Sequence, residues 1–217
     1  MENSRPRTCL DLMKSGKTQD GFYTIYDSQN NSVPVYCDMT SEPRSAWTLV
    51  MSWSLKNNKL FIITGLTVDA PVNEKTPNWH LYRMSHAQML SVQSQSTHWR
   101  STCSVNTYRV DYTDYMRGNF RDFNVLSYTG AGQCKKVEYI NIRGNAKTST
   151  TAKFWQGVRS WFLHTDSSYR GCPFQALANN GAKREEDNFG HYATVNSKFR
   201  CTASPESTTQ YWFGGYV

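Results

Sequence analysis

Six widely spaced cysteines constrain the fold of this chain more than any other feature. They are Cys9, Cys37, Cys103, Cys134, Cys172 and Cys201 in a chain of 217 residues. No two are close enough for a CxxC motif, and no Cys/His cluster has the spacing of zinc ligands. An even count in a chain rich in Tyr, Trp, Ser, Thr and Asn predicts disulfides and an oxidising compartment. The alternative is a cytosolic protein with six reduced, buried thiols.

Pairing the cysteines in sequence order would close three loops of similar size. Cys9–Cys37, Cys103–Cys134 and Cys172–Cys201 are separated by 28, 31 and 29 residues. In the chain-entropy account, closing one such loop stabilises the folded state by about 3.6 kcal/mol. We predict this sequential connectivity.

The composition excludes several architectures. Strong helix formers are scarce, whereas 7 Trp, 13 Tyr and 10 Phe residues supply large apolar rings. These proportions exclude a helical bundle, a coiled coil and a disordered tail. The longest apolar stretch, residues 60–68, is short and interrupted, so we expect no membrane insertion.

The net charge of +7 is spread along the chain without a basic run. This pattern favours a solvated basic surface, and the less favoured alternative is binding to a sulfated or sialylated polyanion. No nucleic-acid-binding pattern is present, so we expect no nucleic-acid partner.

Three short runs of aromatic and β-branched residues follow the first cysteine. They span residues 22–26, 33–37 and 47–51 and are separated by polar turns. We predict one domain over residues 9–217, with an N-terminal antiparallel subdomain over 9–51, a main subdomain over 52–217 and a disordered N-terminus over 1–8. The best helix candidate spans residues 85–92, with Ser85 as its N-cap.

The N-terminal part resembles the start of fibrinogen-related domains. The residues that carry this resemblance are Cys9-x-Asp11, Asp20-Gly21-x-Tyr23-x-Ile25, Val35-Tyr36-Cys37-Asp38-Met39-Thr40 and Trp47-Thr48-Leu49-Val50. The middle of the chain more weakly resembles intelectins, through Lys75-Thr76-Pro77, His98-Trp99-Arg100, Tyr108-Arg109-x-Asp111 and Gly130-x-Gly132-x-Cys134.

These resemblances imply both a fold and a function. The implied fold is an α+β fibrinogen-like domain with a small N-terminal antiparallel β subdomain, short helices, long loops and a central twisted sheet stapled by disulfides. The implied function is extracellular recognition, often calcium-dependent and often directed at glycans or acetylated groups. The family's own metal and sugar ligands are not carried over, because the intelectin segment rich in Gly and Asn is absent before Lys75.

The best calcium candidate is the acidic segment 185–190. Glu186, Asp187 and Asn188 offer the oxygen ligands that Ca²⁺ prefers, and Gly190 would permit a sharp backbone turn. The alternative is a solvated acidic turn that offsets the neighbouring Lys183 and Arg184.

Four aromatic residues are candidates for contact with a sugar. His191 and Tyr192 follow the acidic segment directly, and Tyr211 and Trp212 lie near the C-terminal end. Aromatic faces beside a cation commonly hold a sugar ring or an N-acetyl methyl group. The alternative is that these rings fill the core of a domain poor in Leu.

These observations predict a secreted, non-enzymatic recognition module that binds glycans or glycoproteins on cell or microbial surfaces, as a lectin in innate recognition or adhesion. The alternative is a structural extracellular-matrix or adhesive protein that keeps the scaffold without a sugar site. Catalytic motifs such as GxSxG or a Walker loop are absent from the sequence. Asn30 begins the only N-glycosylation sequon, so we expect a glycoprotein.

Overall fold

In this computed structural model, ten strands of the described residues form one sheet by antiparallel pairing. The structure describes residues 5–167, 171–176, 187–192 and 195–217. The strands are β1 (Gly21–Tyr26), β2 (Ser32–Asp38), β3 (Ser45–Ser54), β4 (Leu81–Arg83), β5 (His98–Cys103), β6 (Tyr115–Asn119), β7 (Gly130–Ile142), β8 (Asn145–Gln156), β9 (His164–Thr165) and β10 (Thr208–Tyr216). Their order is β1-β2-β3-β10-β5-β6-β7-β8-β9, and β4 also pairs with β3.

The helices are few and short. They are α1 (Cys9–Lys14), α2 (His86–Gln93) and α3 (Val105–Tyr108), with 3₁₀ turns at Leu55–Leu60 and Arg200–Thr202. The predicted cap of α2 is confirmed, because the Ser85 side chain accepts a hydrogen bond from the Gln88 backbone N–H at 3.3 Å. The fold is therefore mostly β rather than the α+β class that we expected. Among the described residues, no helix is long and apolar enough to cross a bilayer.

The last strand occupies the middle of the sheet. β10 pairs with β3 on one side and with β5 on the other, and residues 208–215 are all buried. The fully buried indoles of Trp47, Trp53, Trp99 and Trp212 are among the largest side chains of the core. Aromatic rings thus supply much of the apolar volume that Leu supplies in other domains.

A charged side chain is also fully buried beside β10. The guanidinium of Arg100 lies over the rings of Trp47 and Trp212, at 4.5 and 5.0 Å from their centroids. It forms ion pairs with Asp38 and, at 2.7 Å, with Glu42. Burial alone would raise the pKa values of both carboxyls, but Arg100 and further hydrogen bonds hold them below their usual range.

The N-terminal residues pack against the sheet. The Pro6 carbonyl accepts a hydrogen bond from the Tyr26 N–H at 2.8 Å, and buried Thr8 caps α1. Our expectation of disorder is therefore wrong for residues 5–8, and residues 1–4 lie outside the described part. Strands β1 to β3 belong to the same sheet as the later strands, while the division into subdomains stays a prediction.

Three disulfides join all six cysteines. The Cys9–Cys37 bond is confirmed and ties α1 to β2. The other two bonds join Cys103 to Cys201 and Cys134 to Cys172, with sequence separations of 98 and 38 residues. The predicted pairs Cys103–Cys134 and Cys172–Cys201 are therefore wrong.

Strand register explains the error. Cys103 ends β5, where its neighbour Thr102 lies opposite Tyr115 of β6, and Tyr115 lies opposite Asn141 of β7. Cys134 precedes Asn141 by seven positions on β7, a distance of about 23 Å at roughly 3.3 Å per residue. A disulfide requires Cα atoms within about 7 Å, so Cys103 and Cys134 cannot be joined in this sheet.

Candidate metal centre

Three side chains that can bind a metal ion meet at the sheet edge formed by β9. His164 lies on this strand, Asp166 follows it, and Asp187 belongs to a later loop segment. One ligand atom from each of the three lies within 4.8 Å of the others. Because metal–ligand distances are about 2.0–2.6 Å, a single cation can contact all three side chains.

The tautomer of His164 directs a lone pair toward the carboxylate of Asp187. Nδ1 of His164 donates a hydrogen bond to the Phe162 carbonyl at 2.7 Å, which leaves Nε2 as the unprotonated nitrogen. Nε2 lies 3.8 Å from Oδ1 of Asp187. Burial lowers the pKa of His164 to about 3, so its imidazole is neutral at physiological pH. Two electron-rich atoms therefore face each other at a separation that one cation would bridge.

Backbone pairing fixes the later loop segment against β9. The N–H of Thr165 donates to the Asn188 carbonyl at 3.0 Å, and the N–H of Asn188 donates to the Thr165 carbonyl at 2.9 Å. Asp187 adopts a left-handed backbone with φ of 60°, which is uncommon for a residue other than glycine. This reciprocal pair places Asp187 beside His164.

Gly190 allows the closest approach of the loop to the β9 edge. A Cβ atom at this position would lie 2.1 Å from the Leu163 carbonyl oxygen and 2.4 Å from the Phe162 ring. Steric space, rather than the sharp backbone turn that we expected, is therefore the reason for glycine here.

A buried hydroxyl supports both sides of the centre from the core. Oη of Tyr211 donates toward the carbonyls of Phe189 and Leu163, at 2.8 and 3.3 Å. These carbonyls belong to the residue before Gly190 and to the residue before His164. The central strand β10 thus helps to set the distance between the loop segment and β9.

The predicted calcium ligands have different outcomes. Asp187 belongs to the group, and Asn188 is fully buried and joins its loop segment to β9. Glu186 lies outside the described residues. The sequence analysis missed His164 and Asp166, which precede the acidic segment by about twenty residues.

The predicted sugar-contacting aromatics are mainly core residues. Tyr192, Tyr211 and Trp212 are 4%, 0% and 0% exposed, so their rings offer no face to a sugar. We therefore correct their assignment as ligand-binding residues. His191 is half-buried, stacks on His164 with ring centroids 5.1 Å apart, and forms a hydrogen bond between Nδ1 and the Ile62 carbonyl at 2.9 Å.

The sequon residue Asn30 is exposed in the turn between β1 and β2, where its carboxamide is accessible.

Comparison with known proteins found no protein-family model that matches the chain and no curated protein that matches it significantly.

Proposed function

We propose that this chain is a secreted, non-enzymatic recognition module that binds glycans through a divalent cation held by His164, Asp166 and Asp187. The observation that carries this proposal is the 3.8 Å approach of the His164 Nε2 lone pair to the Asp187 carboxylate. Both atoms can act as ligands of one cation, because a neutral imidazole nitrogen and a carboxylate oxygen each offer a lone pair.

We propose Ca²⁺ as the cation. Two carboxylates supply hard oxygen ligands, and Ca²⁺ takes six to eight ligands, so three side chains leave positions for other oxygens. The imidazole nitrogen is the feature of this donor set that suits Zn²⁺ instead. If the centre binds Zn²⁺ instead, the proposed ion is wrong but the proposed site remains.

A glycan is the proposed ligand because the site faces solvent on one side. His164 and Asp187 are buried, whereas Asp166 and His191 are half-buried. Paired sugar hydroxyls can replace water on the accessible side of a hard cation, since both offer oxygen ligands. The half-exposed His191 ring would then flank the bound sugar.

Three disulfides without a free cysteine in the described chain support extracellular placement. The Cys9–Cys37 bond also supports the resemblance to fibrinogen-related domains, since both cysteines belong to the motif that carries it. The exposed sequon at Asn30 agrees with passage through a secretory pathway.

A glycan array probed with the oxidised protein tests this proposal. We expect binding in calcium-containing buffer, loss of binding with EDTA, and loss of binding for Asp166→Asn. Asp122→Asn is the matched control, because this carboxylate lies outside the cluster and pairs with Lys136 at 2.9 Å. EDTA-insensitive binding would contradict the metal-dependent role. An array without any bound glycan would favour the structural or adhesive alternative.

A further inference from the structure

A cavity separate from the metal centre lies between β2, the loop that precedes β4 and the turn after β5. Its volume is about 600 Å³, within the range of small-molecule sites, and it shares no residue with the metal centre. Tyr36, Trp79, Asp20 and Arg109 contribute both apolar and charged groups to its lining. A small-molecule site typically places a few convergent polar groups beside aromatic rings.

Two half-buried rings form one wall of this cavity. Tyr36 and Trp79 meet edge to face, with centroids 4.8 Å apart. The fully buried ring of Trp212 lies behind them, at 6.3 Å from Tyr36 and 6.2 Å from Trp79. This backing fixes the wall, so its accessible part is a preformed apolar surface.

Arg109 supplies the cation of the cavity. It is exposed, and within the described part of the chain its guanidinium has no ion pair and no hydrogen bond. Its backbone has φ of 57° and ψ of −165°, a region almost restricted to glycine. Such strain is retained where the surrounding structure imposes it, and it often accompanies ligand-binding positions.

The residues that lead from β5 to Arg109 are held in place where they leave the strand. The Cys103–Cys201 disulfide precedes it, and the Ser104 hydroxyl donates to the Arg200 carbonyl at 3.1 Å. The same hydroxyl oxygen accepts from the Thr208 N–H at 3.1 Å. The segment that carries Arg109 thus starts from residues held to β10 and to the Arg200 turn.

The acidic groups of the cavity are already fixed or neutralised. Both oxygens of the exposed Asp20 carboxylate accept hydrogen bonds, from the Met39 N–H at 2.6 Å and from the Thr40 hydroxyl at 2.7 Å. Asp38 is paired with the buried guanidinium of Arg100. Among the described residues, Arg109 is consequently the charged group of the cavity without an ion pair or side-chain hydrogen bond, while Asp20 keeps lone pairs for a ligand hydroxyl.

We propose that this cavity binds a sugar ring that carries an acidic group. The apolar face of the ring would pack on Trp79 and Tyr36, its acidic group would pair with Arg109, and a ring hydroxyl would donate to Asp20. A guanidinium binds a carboxylate or a sulfate through two parallel hydrogen bonds, so either acidic group fits. This site requires no metal ion and stands apart from the proposed function.

Titration of the protein with glucuronate and with glucose in the presence of EDTA tests this inference. The two sugars differ only at C6, which is a carboxylate in glucuronate and a hydroxymethyl group in glucose. We expect the wild type to bind glucuronate about tenfold more tightly than glucose, since solvent weakens the two charge-assisted hydrogen bonds to an exposed guanidinium. Arg109→Gln should remove this preference.

Arg44→Gln is the matched control, because Arg44 is also exposed, has the same φ of 57° and lies outside the cavity. This variant should keep the preference for glucuronate. A parallel titration with N-acetylglucosamine 6-sulfate and N-acetylglucosamine distinguishes sulfated from carboxylated sugars. Selective binding of either acidic sugar supports the site if Arg109→Gln loses it. Equal binding of acidic and neutral sugars, absence of binding to both acidic sugars, or an unchanged preference in Arg109→Gln would overturn it.

Discussion

Replacement of Arg100 by Met tests how much its buried ion pairs contribute to the stability of the fold. The substitution keeps an unbranched, apolar stem of similar length, but it removes the guanidinium that pairs with Asp38. Glu42 keeps a contact with Arg117 at 3.3 Å and accepts hydrogen bonds from the hydroxyls of Tyr115 and Tyr216, at 2.5 and 2.7 Å. Most of the destabilisation should therefore come from Asp38, which is 3% exposed.

Removing one partner of a buried ion pair costs about 3–5 kcal/mol, because the remaining charge is buried without compensation. For a domain of this size, that loss corresponds to a decrease in melting temperature of roughly 6–20 °C. Urea denaturation of the oxidised protein at neutral pH measures the free energy of unfolding. Arg44→Met, at an exposed position, is the matched control and should change it by less than about 0.5 kcal/mol.

The pH dependence separates this mechanism from a simple loss of packing. Without Arg100, burial raises the folded-state pKa of Asp38 above its unfolded value. Protonation then relieves the buried charge as the pH falls, so the stability difference between wild type and Arg100→Met should decrease from neutral to acidic pH. A difference that stays constant with pH, or that is below about 1 kcal/mol at neutral pH, would refute the reasoning.

Three further predictions follow from the same structure. Replacing Cys103 and Cys201 together by Ala should lower the free energy of unfolding by up to about 5 kcal/mol in urea denaturation, because the bond closes a loop of 98 residues. Tyr211→Phe should cost about 1–3 kcal/mol by thermal or urea denaturation, since two buried carbonyls lose their donor. Wild-type stability should fall in acid, as measured by urea denaturation from pH 6 to 2, because the pKa values of Asp38 and Glu42 lie below their unfolded values of 3.8 and 4.5. Their contribution is complete above those unfolded values and is lost as the pH decreases through the lower folded ones. An unchanged urea midpoint for the cysteine variant would contradict the first prediction, and an unchanged melting temperature for Tyr211→Phe would contradict the second. A wild-type stability that does not change with pH would contradict the third.

Local features of the fold were predictable from the sequence. The runs at 22–26, 33–37 and 47–51 lie within β1, β2 and β3, and Ser85 caps α2 as expected. These elements depend on alternation, turn residues and capping, which neighbouring residues determine. The apolar stretch 60–68 begins at the end of a 3₁₀ turn and contains no strand.

Long-range pairing was not predictable in the same way. The insertion of β10 between β3 and β5 joins residues more than one hundred positions apart, and this register decides which cysteines meet. Similar loop lengths favoured sequential pairing, whereas the sheet brings Cys201 to the end of β5. Loop-closure entropy changes slowly with loop length, so spacing alone discriminates poorly between connectivities.

The candidate site was predicted in part. An acidic segment followed by glycine identified Asp187, because oxygen ligands on a loop are typical of cation sites. His164 and Asp166 were missed because they come from the opposite side of a backbone bridge that the sequence does not reveal. The available signal was a histidine at the end of an apolar run, with a carboxylate two residues later.

Direct titration of Ca²⁺ into the metal-free, oxidised protein tests the central claim most directly. Isothermal titration calorimetry should show one ion bound per chain for the wild type and for Asp122→Asn, and no binding at this site for Asp166→Asn. A parallel titration with Zn²⁺ identifies the ion that the centre prefers. Folded wild-type protein that binds neither ion, or binding that survives Asp166→Asn unchanged, would contradict the account.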